Sequence, residues 1–152
     1  MEKGIGSLIA VVFVVGLVLG GRALGRSSAS AEYKKEAIAL MQHVEGYSAN
    51  PDYFHWLAEF AHEVVFDDCC TRVRTGRRSS RIVVDEEKYF YNMLTEAMMQ
   101  AGRDNAPHIC TALQTFRDEN YIAPDASPQQ RRLFYMQQEE RDRAALQGGG
   151  GN

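Results

Sequence analysis

The sequence predicts an all-α fold: one N-terminal transmembrane helix followed by a compact domain of four to five helices. Three observations point there. Residues 4–21 carry no charged side chain. Downstream, apolar residues recur every three or four positions, which is the helical period. Several of those stretches open on a cap residue followed by Pro or an acid, the signature of a helix start.

Residues 4–21, GIGSLIAVVFVVGLVLGG, would form a helix about 27 Å long, close to the ~30 Å hydrocarbon core of a bilayer. Gly16 and Gly20 make a small-xxx-small pair that suits close approach of two such helices. The expected organisation is an anchor over 1–21, a polar linker over 22–30, a helical domain over 31–147 and a flexible glycine tail over 148–152. A cleaved secretory signal is the competing reading, with Lys3 as its basic start. The small-residue sites at Gly21-Arg22-Ala23 and Ala29-Ser30-Ala31 fit it poorly. Arg22 interrupts the first, and the second lies far from the apolar run. The expected location is therefore a membrane, crossed once. The side of the domain stays open, because Arg22 and Arg26 argue for the cytoplasm while a signal-like N-terminus argues against it.

The first domain helix is expected over 31–45, with Ser30 as N-cap, Gly46 just past its end, and Ala37, Ile38, Met41 and Val44 on one face. Asn50-Pro51-Asp52 combines a cap, a proline at the first position and an acid favoured by the helix dipole. It opens a second helix over 51–72. Phe54, Leu57, Ala61, Val64 and Val65 form its stripe, and Trp56 and Phe60 are expected to anchor the core. Residues 72–81, RVRTGRRSSR, hold five arginines and no acid and read as a loop around Gly76. Ile82-Val83-Val84 is a strand fragment or a packed lead-in. Asp85 caps a third helix over 86–101 that ends at Gly102, with Val84 packing on Tyr89. Its core face is Phe90, Leu94, Ala97, Met98 and Ala101. Asp104 or Asn105 caps a fourth helix over 106–119, lined by Ile109, Ala112, Leu113 and Phe116. The short link pairs helices three and four as an αα-hairpin. Ser127-Pro128-Gln129-Gln130 is a capping box ahead of a fifth helix that runs to 146. Its second half is almost wholly charged or amide and should be solvated.

The chain has 152 residues and a net charge of −3. One domain is the natural count, and that charge argues against a nucleic-acid partner. Helices three and four match a helix-turn-helix in outline only, since Asp104, Asp118 and Glu119 would repel phosphate. Cys69, Cys70 and Cys110 are an odd set, so no closed disulfide framework is possible. They are expected as small buried hydrophobes. A bridge from one of the pair to Cys110 is the alternative in an oxidising compartment.

Three groups of residues carry candidate chemistry. His55, Glu59 and His62 fall on one side of helix two. Glu59-x-x-His62 has the form used in di-metal carboxylate bundles, which would make the chain a metal-binding protein or metal-dependent enzyme. Helix three supplies no second Glu-x-x-His, so half of that ligand set is missing, and an ordinary polar helix face is the simpler account. A cysteine nucleophile served by His62 is weaker still, since Asp67 and Asp68 would raise the thiol pKa. Arg72, Arg74, Arg77, Arg78 and Arg81 are candidates for lipid or phosphate contact. On a tethered chain each basic residue near an anionic surface contributes about 1 kcal/mol. Against that stands a loop whose arginines pair with Glu59, Glu63, Asp67, Asp68, Glu86 and Glu87. Leu133, Phe134, Tyr135 and Met136 are candidates for partner contact. The expected function is a membrane-tethered interaction or accessory protein without catalysis or cofactor. Its partners are membrane lipid and a protein within the membrane. A secreted helical protein is the third reading.

Overall fold

The computed structural model describes residues 26–149. The anchor, the first part of the linker and the end of the tail lie outside the described residues. Among the described residues no helix is long and apolar enough to cross a membrane. The described residues form five α-helices and one two-stranded sheet, in the order α1 (Arg26–Met41), α2 (Pro51–Val65), β1 (Cys70–Arg74), β2 (Ser80–Val84), α3 (Glu86–Arg103), α4 (Pro107–Asn120) and α5 (Pro128–Gly148). Residues 26–124 belong to one compact unit and α5 to another, so each is described by itself.

The first unit is built on α2. Its buried side chains are Phe54, Leu57, Ala58, Ala61, His62 and Val65. From α1 they meet Ala29, Tyr33, Ala37 and Met41, a residue every fourth position. From α3 they meet Tyr89, Met93, Leu94, Ala97 and Ala101. The alanines matter here, because small side chains on facing helices let the axes approach and the larger ones interdigitate. Helix α4 packs on α3, as the short link requires, and buries Leu113. Arg117 holds this pair together. Its Nη1 donates to Thr95 Oγ1 at 2.9 Å, and its guanidinium lies 4.8 Å from the centre of the Tyr91 ring.

Trp56 and Phe60 do not anchor the core. Trp56 is 44 % exposed and stacks between Tyr53 at 6.0 Å and Phe60 at 5.4 Å. The buried face of α2 is centred on 54, 58, 61 and 65, and the three aromatics stand beside it. Stacking on one another removes part of their surface from water.

Helix α2 stops at Val65, seven residues short of expectation. Two acids, Asp67 and Asp68, sit where the carbonyl end of the helix dipole is negative. Beyond them Cys70–Arg74, with β-branched Thr71 and Val73, pairs antiparallel with Ser80–Val84. The hairpin base is closed by Asp85 N–H donating to Cys69 O at 2.9 Å. The segment expected as an arginine loop is thus mostly β-ribbon.

The helix starts behave as their side chains dictate. Asp85 accepts from Lys88 N–H at 3.2 Å. Ser127 and Gln130 exchange both bonds of the capping box, at 2.8 and 3.2 Å. Gly102 does not end α3. The helix runs one turn position further and closes through Asn105 at φ 61°. Asn105 N–H donates to Gly102 O and Ala106 N–H to Ala101 O, the paired bonds of a Schellman motif. Asn105 therefore terminates α3 rather than capping α4, whose N-cap position is Ala106. Helix α1 already runs at Arg26, so Ser30 lies inside it and is no cap.

Candidate functional site

The β1–β2 ribbon positions its arginines by register. Arg72 faces Ile82 and Arg74 faces Ser80 across the ladder, while Val73 faces Arg81 and Thr71 faces Val83. Directly paired residues point to the same side and neighbours along a strand to opposite sides. One face therefore carries Arg72, Arg74 and Ser80 at the outer end of the ribbon and Cys70, Ile82 and Val84 toward its base, where they pack on the core. The other carries Arg81 among Thr71, Val73 and Val83. The tip is tied by two bonds: Thr75 N–H donates to Ser79 O and Thr75 Oγ1 to Ser79 Oγ, both at 3.0 Å. Gly76 fits this closure closely, since a Cβ there would stand 2.9 Å from Ser79 Oγ.

Arg72, Arg74, Arg77, Arg78, Ser79 and Ser80 line an open concavity of about 410 Å³. All six are exposed. Arg72 Nη1 reaches Ser80 Oγ at 3.4 Å. No ion pair among the described residues involves any of the five arginines of this segment. Of the acids expected to neutralise them, Asp67 pairs with Arg26 and Glu63 pairs with Lys34 at 2.6 Å. Glu86 accepts from Tyr33 Oη at 2.7 Å. Helix α1 thus engages three of the acids that the sequence offers to the arginines. A protein of net charge −3 is left with a ribbon tip of concentrated positive charge, a field that attracts anions.

The His/Glu face of α2 is arranged differently. His62 is fully buried, not on the polar side. Its Nε2 lies 2.9 Å from Ser30 Oγ and its Nδ1 lies 2.6 Å from Tyr89 Oη. Tyr89 Oη donates to Tyr33 O at 3.3 Å. With that proton placed, one assignment satisfies every atom: Nδ1–H donates to Tyr89, and Nε2 accepts from the Ser30 hydroxyl. Burial lowers the His62 pKa below its usual value, and Lys34 adds to this against the pull of Glu63 and Asp67. Both ring nitrogens are thus engaged, in the pattern of a neutral imidazole. The network ties α1, α2 and α3 together. His55 Nε2 lies 2.6 Å from Tyr47 Oη, with the two rings 5.6 Å apart, and Glu59 is exposed. The structure does not bring His55, Glu59 and His62 onto a common ion position. Among the described residues no three His, Cys, Asp or Glu side chains gather as a metal site requires.

The three thiols are free. Cys69 is buried, and Cys70 donates to Phe66 O at 3.1 Å. Burial pushes both thiols up, away from the reactive thiolate. On α5, Leu133 is 53 %, Tyr135 46 % and Met136 50 % exposed, and Phe134 is half-buried.

No protein family, no curated protein and no solved structure matches this chain. Its function has to be argued from its own residues. Sequence reasoning found the arginines but missed the ribbon that sorts them onto two faces. The signal was the β-branched content on either side of the turn at Gly76, Thr71 and Val73 before it and Ile82, Val83 and Val84 after it. It also missed the burial of His62. The only hint was the four-residue spacing from Phe54 through Ala58 to His62, and its partners Ser30 and Tyr89 lie 32 and 27 residues away.

Proposed function

We propose that this chain is a membrane-tethered interaction protein without catalysis, and that its arginine hairpin binds phosphate groups at the membrane surface. The observation that carries the reading is the concavity lined by four arginines and two serines, with no carboxylate among the lining residues. Guanidinium forks match phosphate oxygens two at a time. The apolar run at 4–21 supports the tether, since it would hold the hairpin where anionic head groups are concentrated. The opposite ribbon face adds Arg81 beside Val73 and Val83, which are 38 % and 39 % exposed, a mixture suited to the head-group boundary.

The test uses the full chain in nanodiscs, either zwitterionic or with about a third of the lipid anionic, followed by hydrogen exchange. Amides of residues 72–81 should be protected in the anionic discs. The protection should fade as salt screens the charges and vanish when Arg72, Arg74, Arg77 and Arg78 are changed to Gln. Equal exchange in both kinds of disc would reject the lipid reading.

For a protein partner within the membrane, the reading places the contact on α5 at Leu133, Phe134, Tyr135 and Met136. Leu133→Glu with Met136→Glu should strip any partner that co-purifies from native membranes in detergent, while the helical signal stays unchanged. Retention of every partner would remove α5 from this role.

A further inference from the structure

We infer that the hairpin concavity takes an anion bearing two or more phosphate groups rather than one. The inference rests on the phosphate-binding reading and sharpens it to a ligand class. The arginines fall into two pairs. Arg72 and Arg74 stand two positions apart on one face of β1, and Arg77 and Arg78 are adjacent at the tip. A phosphate monoester carries a charge of about −2 and three acceptor oxygens, which two forked guanidiniums already satisfy. A single phosphate would leave the second arginine pair without a counter-charge. Two phosphates give each pair its own.

Size points the same way. The concavity of about 410 Å³ lies in the range of small-molecule sites, roughly 300–1,000 Å³. It is open to solvent along the ribbon and brings all four guanidinium side chains to one depression. Ser79 and Ser80 add hydroxyls that bond ester or bridging oxygens without adding charge. The Thr75–Ser79 bonds close the turn whose backbone carries Arg77 and Arg78.

The shared chemistry is a diphosphate or bisphosphate, either free or as a lipid head group. The experiment titrates the full chain, in zwitterionic nanodiscs, with pyrophosphate and separately with orthophosphate. Pyrophosphate should bind about tenfold tighter or better, because it engages twice the number of charge-assisted bonds. Arg72→Gln with Arg74→Gln should bring pyrophosphate down to the orthophosphate affinity. These exposed side chains leave the helical core untouched, so the variant's circular dichroism should match the parent's.

Equal affinity for the two anions overturns the inference and leaves the phosphate reading standing. Failure of both anions to bind overturns the two together. A second arm compares discs holding a lipid with two phosphates against discs of equal total charge built from lipid with one. Preferential protection of residues 72–81 by the first assigns the ligand to the membrane. Tight pyrophosphate binding without that preference assigns it to solution, and either result supports the inference.

Discussion

Alanine at Tyr89 should destabilise the protein by about 3–5 kcal/mol, the cost of emptying a large aromatic site in a core. Tyr89 is fully buried. Its ring lies 5.1 Å from Phe90, 5.2 Å from Tyr33, 5.7 Å from His62 and 6.1 Å from Phe66. Phenylalanine separates the ring from the hydroxyl. It keeps those contacts and removes only the oxygen that accepts from His62 Nδ1–H and donates to Tyr33 O. A buried donor without a partner costs about 1–3 kcal/mol, so Tyr89→Phe should fall between alanine and the parent. Urea unfolding followed by circular dichroism reads both. A phenylalanine variant as stable as the parent would mean that the His62 network contributes nothing to the joining of the three helices.

Glu36→Gln should reshape the dependence of stability on pH. The carboxyl of Glu36 is pushed up to about 7, first by burial and then by Glu86 and Glu32 nearby. Its unfolded value is near 4.5. The proton therefore stays on in the folded state and off in the unfolded state between these values. Stability from this group is complete below pH 4.5 and is lost as pH rises through 7. His62 works in the opposite sense. Its folded pKa lies below 6.5, so its contribution is complete above 6.5 and declines as pH falls. Over pH 4.5–6.5 the two slopes oppose, so each offsets part of the other in the parent protein. Removing the Glu36 charge should expose the His62 slope alone, so that stability climbs from pH 5 to 6.5 and then levels. At pH 8 the glutamine variant should exceed the parent by about 2 kcal/mol, a figure that allows for partial exposure. Unfolding series at pH 5, 6, 7 and 8 decide the matter. Parallel curves for parent and variant would show that Glu36 ionises normally.

How much was legible in the sequence depended on how far each residue reaches. Ser127 and Gln130 are three positions apart and satisfy each other's backbone groups, so their pattern and their geometry are the same fact. Asp85 is of the same kind. Asn105 was a matter of competition. Gly102 and Asn105 both tolerate a left-handed backbone, and the choice fell to the one whose position completes the paired bonds to Gly102 and Ala101. The site is harder still. His62 looks polar in any window of α2, because what makes its burial affordable is Ser30 from α1 and Tyr89 from α3. The arginines were visible as a charge cluster. Their pairing was not, because it depends on which acids α1 engages and on the ladder register that turns Arg81 away from Arg72 and Arg74.

The spacing of Arg26, Ser30 and Lys34 has a mechanical meaning. One residue per turn on the same edge of α1 grips α2 or the turn just after it, at Asp67, His62 and Glu63. A force applied to the first turn of α1 meets Arg26 first, the outermost of these grips. Pulled along the helix axis, the three share the load and must yield together. Pulled away from α2, they open one at a time, the exposed Arg26 pair first and the buried histidine bond after it. The same joint is thus stiff along the helix axis and compliant across it.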